Sequence, residues 1–343
     1  MNVSVGVSVI IPVYNKAQYL ERIITQLSNQ SFANLQLVFV NDGSTDDSLN
    51  IINRMKHTDC RIEIIDKENG GLVDAELAGI KVAEKEYIAF VDPDDKIGEN
   101  YIINFINELD NDYDFVAQGV YFFANKKIEK VTLDKDEILT REDINRIRRS
   151  FLLQQKSSLP SRKIFHGRWN KLYKTSILKE VVADFSKCRD ITLGEDTIFT
   201  YLFLKYAETG KITRKCNEYY YVQDNEDSMV HSPNVTTYLE QSELAFNRLS
   251  ELMKANGETS DLPYALYFML TQGLLNELAS CNNEKDFRVA YGRLIRTKIF
   301  HETIRRMKRI ESNLKRRLAL SIEQIVKLPS IVWLIFSSYI RIK

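Results

Sequence analysis

A repeating rhythm near the start of the chain limits its fold more than any other feature. Short apolar runs rich in β-branched residues begin at Val7, Leu35, Arg61 and Tyr87, spaced 28, 26 and 26 residues apart. That spacing fits strands alternating with helices. Between the first two runs, Leu20, Ile23, Ile24 and Leu27 fall on one helical face, and Asn15 and Gln18 are spaced as a cap and its capping-box partner. The next interval repeats the device. Ser44 with Asp47 opens a helix whose buried stripe takes in Leu49, Ile52 and Met55. Strands that are apolar almost throughout must be covered on both faces, so the pattern predicts an α/β fold with a parallel sheet and right-handed crossovers.

Ligands of such sheets bind beyond the C-terminal ends of the strands. Three segments leave those ends: Pro12-Val13-Tyr14-Asn15, Asn41-Asp42-Gly43-Ser44 and Asp92-Pro93-Asp94-Asp95. All three are expected on one rim. The last crowds three carboxylates into four positions. Asp and Pro also end strands and open helices, so these residues have a plain structural reading as turn and cap. Ionised side chains so close together repel, however, and a hard divalent cation, Mg²⁺ or Mn²⁺, relieves that repulsion while leaving room for substrate phosphates. Asn-Asp-Gly-Ser likewise reads as a turn feeding a helix. Within it, Asp42 is an acceptor able to take a nucleobase N–H, and Tyr14 offers an aromatic face, which together suggest a pyrimidine-nucleotide pocket.

At 343 residues and 44% hydrophobic, the chain is long enough for two compact units. Its 47 basic and 47 acidic residues cancel, which argues against nucleic acid as a partner. The four cysteines have neither CxxC nor metal-ligand spacing, as expected of a reducing cytoplasm. The N-terminus lacks the pattern of a secretory signal, and no window offers the roughly 18 to 20 uninterrupted apolar residues of a spanning helix. Residues 115–230 read as mixed, with a strand at Phe115 to Phe123, strand or loop into helix at Trp169 to Lys179, and a helix at Asp196 to Tyr206. Residues 238–343 read as almost wholly helical. The expected division is a catalytic domain over 1–232, with a nucleotide-binding half (1–115) and an acceptor half (116–232), followed by a helical region over 233–343.

SVIIPVYN at 8–15, VNDGSTDDS at 40–48, KENGGL at 67–72, AFVDPDD at 89–95 and LGEDTIF at 193–199 resemble, in order, the motifs of glycosyltransferase family 2. The resemblance covers roughly residues 5–232. It implies a GT-A fold, Rossmann-like with a mostly parallel central sheet, and an inverting transfer of sugar from a nucleotide diphosphate donor with Mn²⁺ or Mg²⁺ as cofactor. By this resemblance Pro12, Tyr14 and Asp42 would hold uridine. Asp92 and Asp94 would form the metal-binding pair, with Asp94 directly at the metal, and Asp95 is a lesser candidate. Glu195-Asp196 also reads as an acidic helix cap. The resemblance favours Asp196 as the base that deprotonates the acceptor hydroxyl, with Glu195 orienting it or binding acceptor. HGRWNKLY at 166–173 is similar to the family's acceptor-side stretch. There Trp169 is either core or an exposed sugar platform, and Lys171 offsets diphosphate charge. His231 stands where relatives carry a polar residue over the donor diphosphate, as a metal or phosphate ligand or as an idle surface histidine.

One departure stands out. Relatives commonly read GLSxARNxG, whereas this chain has Glu76 and Leu77 in place of the arginine and asparagine. Lys67, here assigned to donor binding, or Lys81 or Lys85 is expected to compensate, unless the donor is unusual or catalysis is weakened. From His301 to Leu320, seven basic residues face Glu302 and Glu311, and the apolar stretch Leu328 to Ile340 follows. The tail reads equally as a subunit contact in a homo-oligomer and as a peripheral anchor on the inner membrane face, with Trp333, Phe336 and Tyr339 inserted. The leading expectation is transfer from a UDP-sugar to a carbohydrate or lipid-linked carbohydrate acceptor in surface polysaccharide, teichoic-acid-like polymer or glycoconjugate synthesis. The rival is an inactive scaffold subunit partnering an active homologue. A nucleotidyltransferase is disfavoured because no glycine-rich basic phosphate loop follows the first strand.

Overall fold

A computed structural model describes residues 5–124, 127–132, 136–153, 164–165, 167–222, 234–310 and Val332. The chain divides into two compact units. The first comprises Met1–Arg148, Lys163–Thr192 and Asp196–Ser228, and the second Arg149–Arg162, Leu193–Glu195 and Met229–Lys343.

The first unit is built on one mixed sheet. Strands β1 (Val7–Val13), β2 (Leu35–Asp42), β3 (Ile62–Lys67) and β4 (Tyr87–Phe90) are its parallel part, in the order β3-β2-β1-β4. Beyond β4 the order continues through β9 (Lys171–Lys174), β6 (Phe115–Ala124), β10 (Gly210–Val222) and β5 (Lys96–Ile97). The short strands β7 (Lys127–Val131) and β8 (Glu137–Leu139) pair with β6 and β10. Strand β9 runs antiparallel to both of its neighbours. The pairing of β1 with β4 stops at Ile10 and Phe90, whereas β1 continues along β2 to Val13. Pro12, with no N–H to give, therefore stands where β1 has already lost one neighbour. That step in the sheet opens the rim.

Helices α1 (Ala17–Ser28), α2 (Ser48–Lys56) and α3 (Leu72–Val82) fill the first three intervals. Leu20, Ile23, Ile24 and Leu27 of α1 are buried as the stripe requires. In α2 the buried residues are Ser48, Ile51 and Ile52, and Met55 packs at the edge of the core. The capping differs from expectation. Asn15 is not the cap of α1: it is left-handed at φ 52, and its Oδ1 accepts from the Thr45 amide at 2.7 Å. The first amides of α1 are taken by the neighbouring loop, Lys16 N by Ser48 Oγ at 3.0 Å and Ala17 N by Asp46 Oδ2 at 2.9 Å. The two strand-end segments are thus cross-linked by side chain to backbone bonds, which fixes their spacing along the rim.

The turn before β9 is held by polar groups turned inward. Asn170 Nδ2 donates to Gln118 O and Ile164 O, both at 3.0 Å. Lys171 is 2% exposed, and its Nζ donates to Ile164 O, Gly167 O and Asn170 Oδ1 at 2.6, 2.5 and 2.8 Å. Burial pushes its pKa down to about 7, while three acceptors match the three N–H bonds of an ammonium. The expectation that Lys171 offsets diphosphate charge is corrected, because its donors are spent on the turn. Trp169 is corrected too. The exposed platform is absent: the indole is 7% exposed, stacked on Tyr219 and Tyr221 at centroid separations of 5.0 and 5.3 Å, with the edge of Phe122 against it. Helices α4 (Tyr101–Ile106), α5 (Arg141–Ser150), α6 (Thr175–Phe185) and α7 (Glu195–Tyr206) complete the elements around this sheet.

The second unit holds α8 (Val235–Ala255), α9 (Leu262–Ser280), α10 (Glu284–Leu294) and α11 (Lys298–Ile310). Asn234 caps α8 through the Thr236 and Thr237 amides, and Pro263 sits in the first turn of α9. Leu249, Leu266, Leu275, Phe287, Tyr291 and Phe300 are fully buried. In α11 Arg305 pairs with Glu302, and Arg306 with Glu302 and Asp261, so part of the basic stretch is already neutralised. The apolar segment Leu328 to Ile340, Val332 apart, lies outside the described residues. Among the described residues no helix is long and apolar enough to cross a membrane.

Replacing Lys171 with methionine keeps the apolar stem and leaves Ile164 O and Gly167 O without their buried donor. The expected cost is about 3 kcal/mol, a fall in Tm of roughly 5–10 °C readable by differential scanning fluorimetry. An unchanged Tm would mean that the buried ammonium contributes nothing net.

Candidate active site

The rim carries three groups of polar residues. At the end of β2, Asp42 is 3% exposed, and segment 67–71 wraps around its carboxylate. Oδ1 accepts from Lys67 Nζ at 2.5 Å and the Gly70 amide at 2.9 Å, and Oδ2 accepts from the Gly71 amide at 2.8 Å. The Asn69 side chain donates to Asp42 O at 2.9 Å. Glycine is required where the two loops meet: Gly43 has φ 67, and a Cβ there would lie 2.7 Å from the Asn69 amide. With three of about four carboxylate acceptor positions used, Oδ2 keeps one for a further N–H donor. Tyr14, at the end of β1, is 49% exposed and presents its ring to solvent. Lys67 also bonds Asp74 Oδ2 at 2.9 Å. Burial lowers its pKa, and the Asp42 and Asp74 bonds more than offset that and hold it above the usual lysine value.

Beyond β4 the three crowded carboxylates have separate surroundings. Asp95 is 2% exposed and accepts from Tyr219 Oη at 2.6 Å and from the Val222 amide at 2.8 Å, so it ties the loop to β10. Burial, with the Asp92 charge beside it, keeps its carboxyl well above the usual range. Asp94 pairs with Lys16 Nζ at 2.8 Å. The guanidinium of Arg22 donates to the carbonyls of Asp94 and Asp95 at 3.0 and 2.9 Å and so fixes the main chain between them. Burial of the Asp92 carboxyl, then repulsion from Asp94, pushes its pKa up to about 7, with Asp196 adding to the rise and Arg168 and Lys16 opposing it. Asp92 is therefore within electrostatic reach of both Asp94 and Asp196.

The third group explains the departure at position 76. Glu76, on the buried face of α3, is 1% exposed. Its Oε1 lies 2.7 Å from a terminal nitrogen of Arg168, and Arg168 Nε lies 3.1 Å from Asp196 Oδ1. The cation paired with Glu76 is Arg168, part of the HGRWNKLY stretch but given no role by sequence reasoning. Asp196 stands in the first turn of α7 with its side chain 30% exposed. Glu195 opens that helix and is 9% exposed. His231 lies outside the described residues.

Sequence reasoning also missed Lys16, Arg22 and Tyr219. Lys16, next after the SVIIPVYN motif, carried a signal in its position; Arg22 and Tyr219 carried none, because their partners are remote in sequence. Among the described residues no cluster of three or more His, Cys, Asp or Glu side chains is arranged to hold a metal ion. A Mg²⁺ or Mn²⁺ site needs only one or two carboxylates when substrate phosphates complete it. Asp92 and Asp94 fit that chemistry, as two hard oxygen donors whose ionised forms repel each other.

Comparison with known proteins bears on the fold and the family. The profile of Glycosyl transferase family 2 matches residues 8–182. The uncharacterized glycosyltransferase EpsJ of Bacillus subtilis (strain 168) is 27% identical over 87% of this chain and 86% of its own. The minor teichoic acid biosynthesis protein GgaB of the same organism is 27% identical over 78% of this chain but only 28% of its own. The chain likewise spans only 42% of glycosyltransferase GlyA of Streptococcus pneumoniae. Among solved structures, residues 1–349 of S. aureus TarS in complex with UDP-GlcNAc superpose with a TM-score of 0.63 at 19% identity, covering 98% of this chain and 92% of that one. With its GT-A fold and a family match over half its length, the chain belongs to glycosyl transferase family 2 and is a glycosyltransferase.

Proposed function

We propose that this enzyme is an inverting transferase that moves a sugar from a UDP-sugar to a hydroxyl of a surface polysaccharide, a teichoic-acid-like polymer or a glycoconjugate. The observation that carries this reading is the convergence on one rim of Asp92, Asp94 and Asp196, with Asp92 feeling the charge of both others. Two similar proteins favour it: the TarS structure is a complex with UDP-GlcNAc, and GgaB is a minor teichoic acid biosynthesis protein. Asp42 would accept from the uracil N–H, with Tyr14 and Pro12 against the base and ribose and Lys67 holding Asp42 in place. Asp92 and Asp94 would hold a divalent cation. Such a cation supplies positive charge to the diphosphate oxygens of the leaving group. Asp196 would take the proton of the acceptor hydroxyl as its oxygen forms the new bond to the anomeric carbon. The bond from that carbon to the diphosphate breaks on the opposite face, and UDP departs.

Glu195, the residue before the base, would face the acceptor, and we take the acceptor half to run from 116 to 232. The helical region over 233–343 would then serve a lipid-linked acceptor at the inner membrane face or a second copy of the chain. The scaffold reading rested on Glu76 and Leu77, and for Glu76 a charge answered by Arg168 favours the enzymatic one.

Asp94→Ala and Asp196→Ala are each expected to lower transfer at least about 100-fold. Only the first should weaken Mn²⁺-dependent UDP binding in calorimetry, and full turnover by Asp196→Ala would remove it from the role of base. A second expectation concerns pH. Asp92 titrates near 7 when folded, against 3.8 ordinarily. The folded protein thus keeps a proton that the unfolded chain loses. Metal-free stability should therefore fall as pH rises from about 4 to about 7 and level off above that. A divalent cation competes with that proton, so millimolar MnCl₂ should raise Tm more at about pH 7.5 than at about pH 5.5. Asp92→Asn should remove the Asp92 share of the pH dependence, leaving that of Asp95, and should abolish the difference in the Mn²⁺ shift. A Mn²⁺ shift in Tm that is equal at the two pH values would exclude Asp92 as a ligand.

A further inference from the structure

We infer that Arg168 is a positioning residue for Asp196, and that Glu76 is present to share the charge of Arg168 so that Asp196 remains able to take a proton. The inference rests on Asp196 being the base. The geometry is that of a fork. One terminal nitrogen of the guanidinium meets Glu76 at 2.7 Å, and the Nε edge meets Asp196 at 3.1 Å. The planar group is fixed further by the ring of Phe199, 5.7 Å from the guanidinium carbon and one helical turn after Asp196. The Arg168 side chain is 6% exposed and that of Glu76 1%, whereas that of Asp196 is 30% exposed. The closed end of the trio is thus the Glu76–Arg168 pair, and its open end is the carboxylate that faces the rim.

The charge balance gives Glu76 its purpose. An arginine paired with Asp196 alone would form a neutral couple whose cation opposes protonation of the aspartate. A second buried carboxylate on the same guanidinium brings the ionised trio to a net charge of −1, so the cation is not committed to Asp196 alone. A lysine at 168 would not serve, because one ammonium nitrogen lacks the divergent, coplanar donors that reach two carboxylates from fixed directions.

The competing explanation is that the pair merely ties α3 to the turn before β9. A mutant cycle separates the two. UDP release would be measured with Mn²⁺ and UDP-N-acetylglucosamine, UDP-glucose or UDP-galactose, with water as acceptor, and UDP affinity by calorimetry. Arg168→Lys should lower kcat about 30-fold and Glu76→Gln about 10-fold, with UDP affinity within about threefold of wild type. In an Asp196→Asn background, where no base is left to position, Arg168→Lys should cost less than about twofold more. A kcat within threefold of wild type for Arg168→Lys, or an undiminished loss in the Asp196→Asn background, would overturn the inference. A crystal structure of Arg168→Lys gives a readout independent of turnover: the Asp196 carboxylate should adopt a different rotamer, and an unchanged one would also overturn it. A wild-type enzyme that neither binds UDP nor releases it from any of these donors would instead refute the proposed reaction. An active wild type with an inactive Asp196→Asn and an unaffected Arg168→Lys would refute only the positioning role.

Discussion

Carboxylates enclosed at the end of a sheet stay ionised only where cations or hydrogen-bond donors face them, and that constraint organises this protein. Asp94 faces Lys16, Glu76 and Asp196 share Arg168, and Asp42 faces two glycine amides and Lys67. Asp95 and Asp92 are the exceptions: Asp95 has the Tyr219 hydroxyl and the Val222 amide, yet burial and the Asp92 charge keep its carboxyl well above the usual range, and burial with the Asp94 charge pushes Asp92 up to about 7. Each donor arrives from a different element, so the carboxylates also hold the loops of the rim in place.

The sheet provides the room for this. Because β4 ends at Phe90 while β1 runs on to Val13, the loop from Asp92 to Asp95 turns into the space that a longer β4 would occupy. The segments after β1 and β2 are bonded to each other, and Arg22 of α1 reaches across to the carbonyls after β4. Movement of one loop must therefore disturb the others. A rigid rim of this kind is what a site needs when its chemistry depends on holding charges at set distances.

Much of this was legible in the sequence because it is local or periodic. Apolar runs at regular intervals gave the parallel strands, the α1 stripe gave its buried face, and the strand ends placed Asp42 and Asp92 on one rim. What was not legible depends on partners remote in the chain. Asn15 looks like a cap until the Thr45 amide takes its side chain and Ser48 supplies the cap instead. Trp169 has the composition of a sugar platform, and only the tyrosines of β10 stacked on it turn it into core. Lys171 reads as a phosphate contact until its ammonium is seen closing its own turn. Glu76 read as a defect, since nothing near it in sequence announces Arg168.

The crowding of Asp92, Asp94 and Asp95 now divides into separate tasks. Asp95 ties the loop to β10 through the Tyr219 hydroxyl and the Val222 amide. Asp94 is held ready by one lysine ammonium, and Asp92 by a proton. If those two carboxylates hold a divalent ion, as proposed, it would replace an ammonium and a proton held only to about neutral pH, both weak competitors for hard oxygen donors. Three ionised carboxylates with no such stand-ins would destabilise the empty rim. The same three buried behind arginines would bind no ion, because a guanidinium forked between carboxylates is not easily displaced. Lysine at position 16 and arginine at position 168 therefore suit different ends: the first neutralises a charge that has to be released, and the second a charge that has to stay where it is.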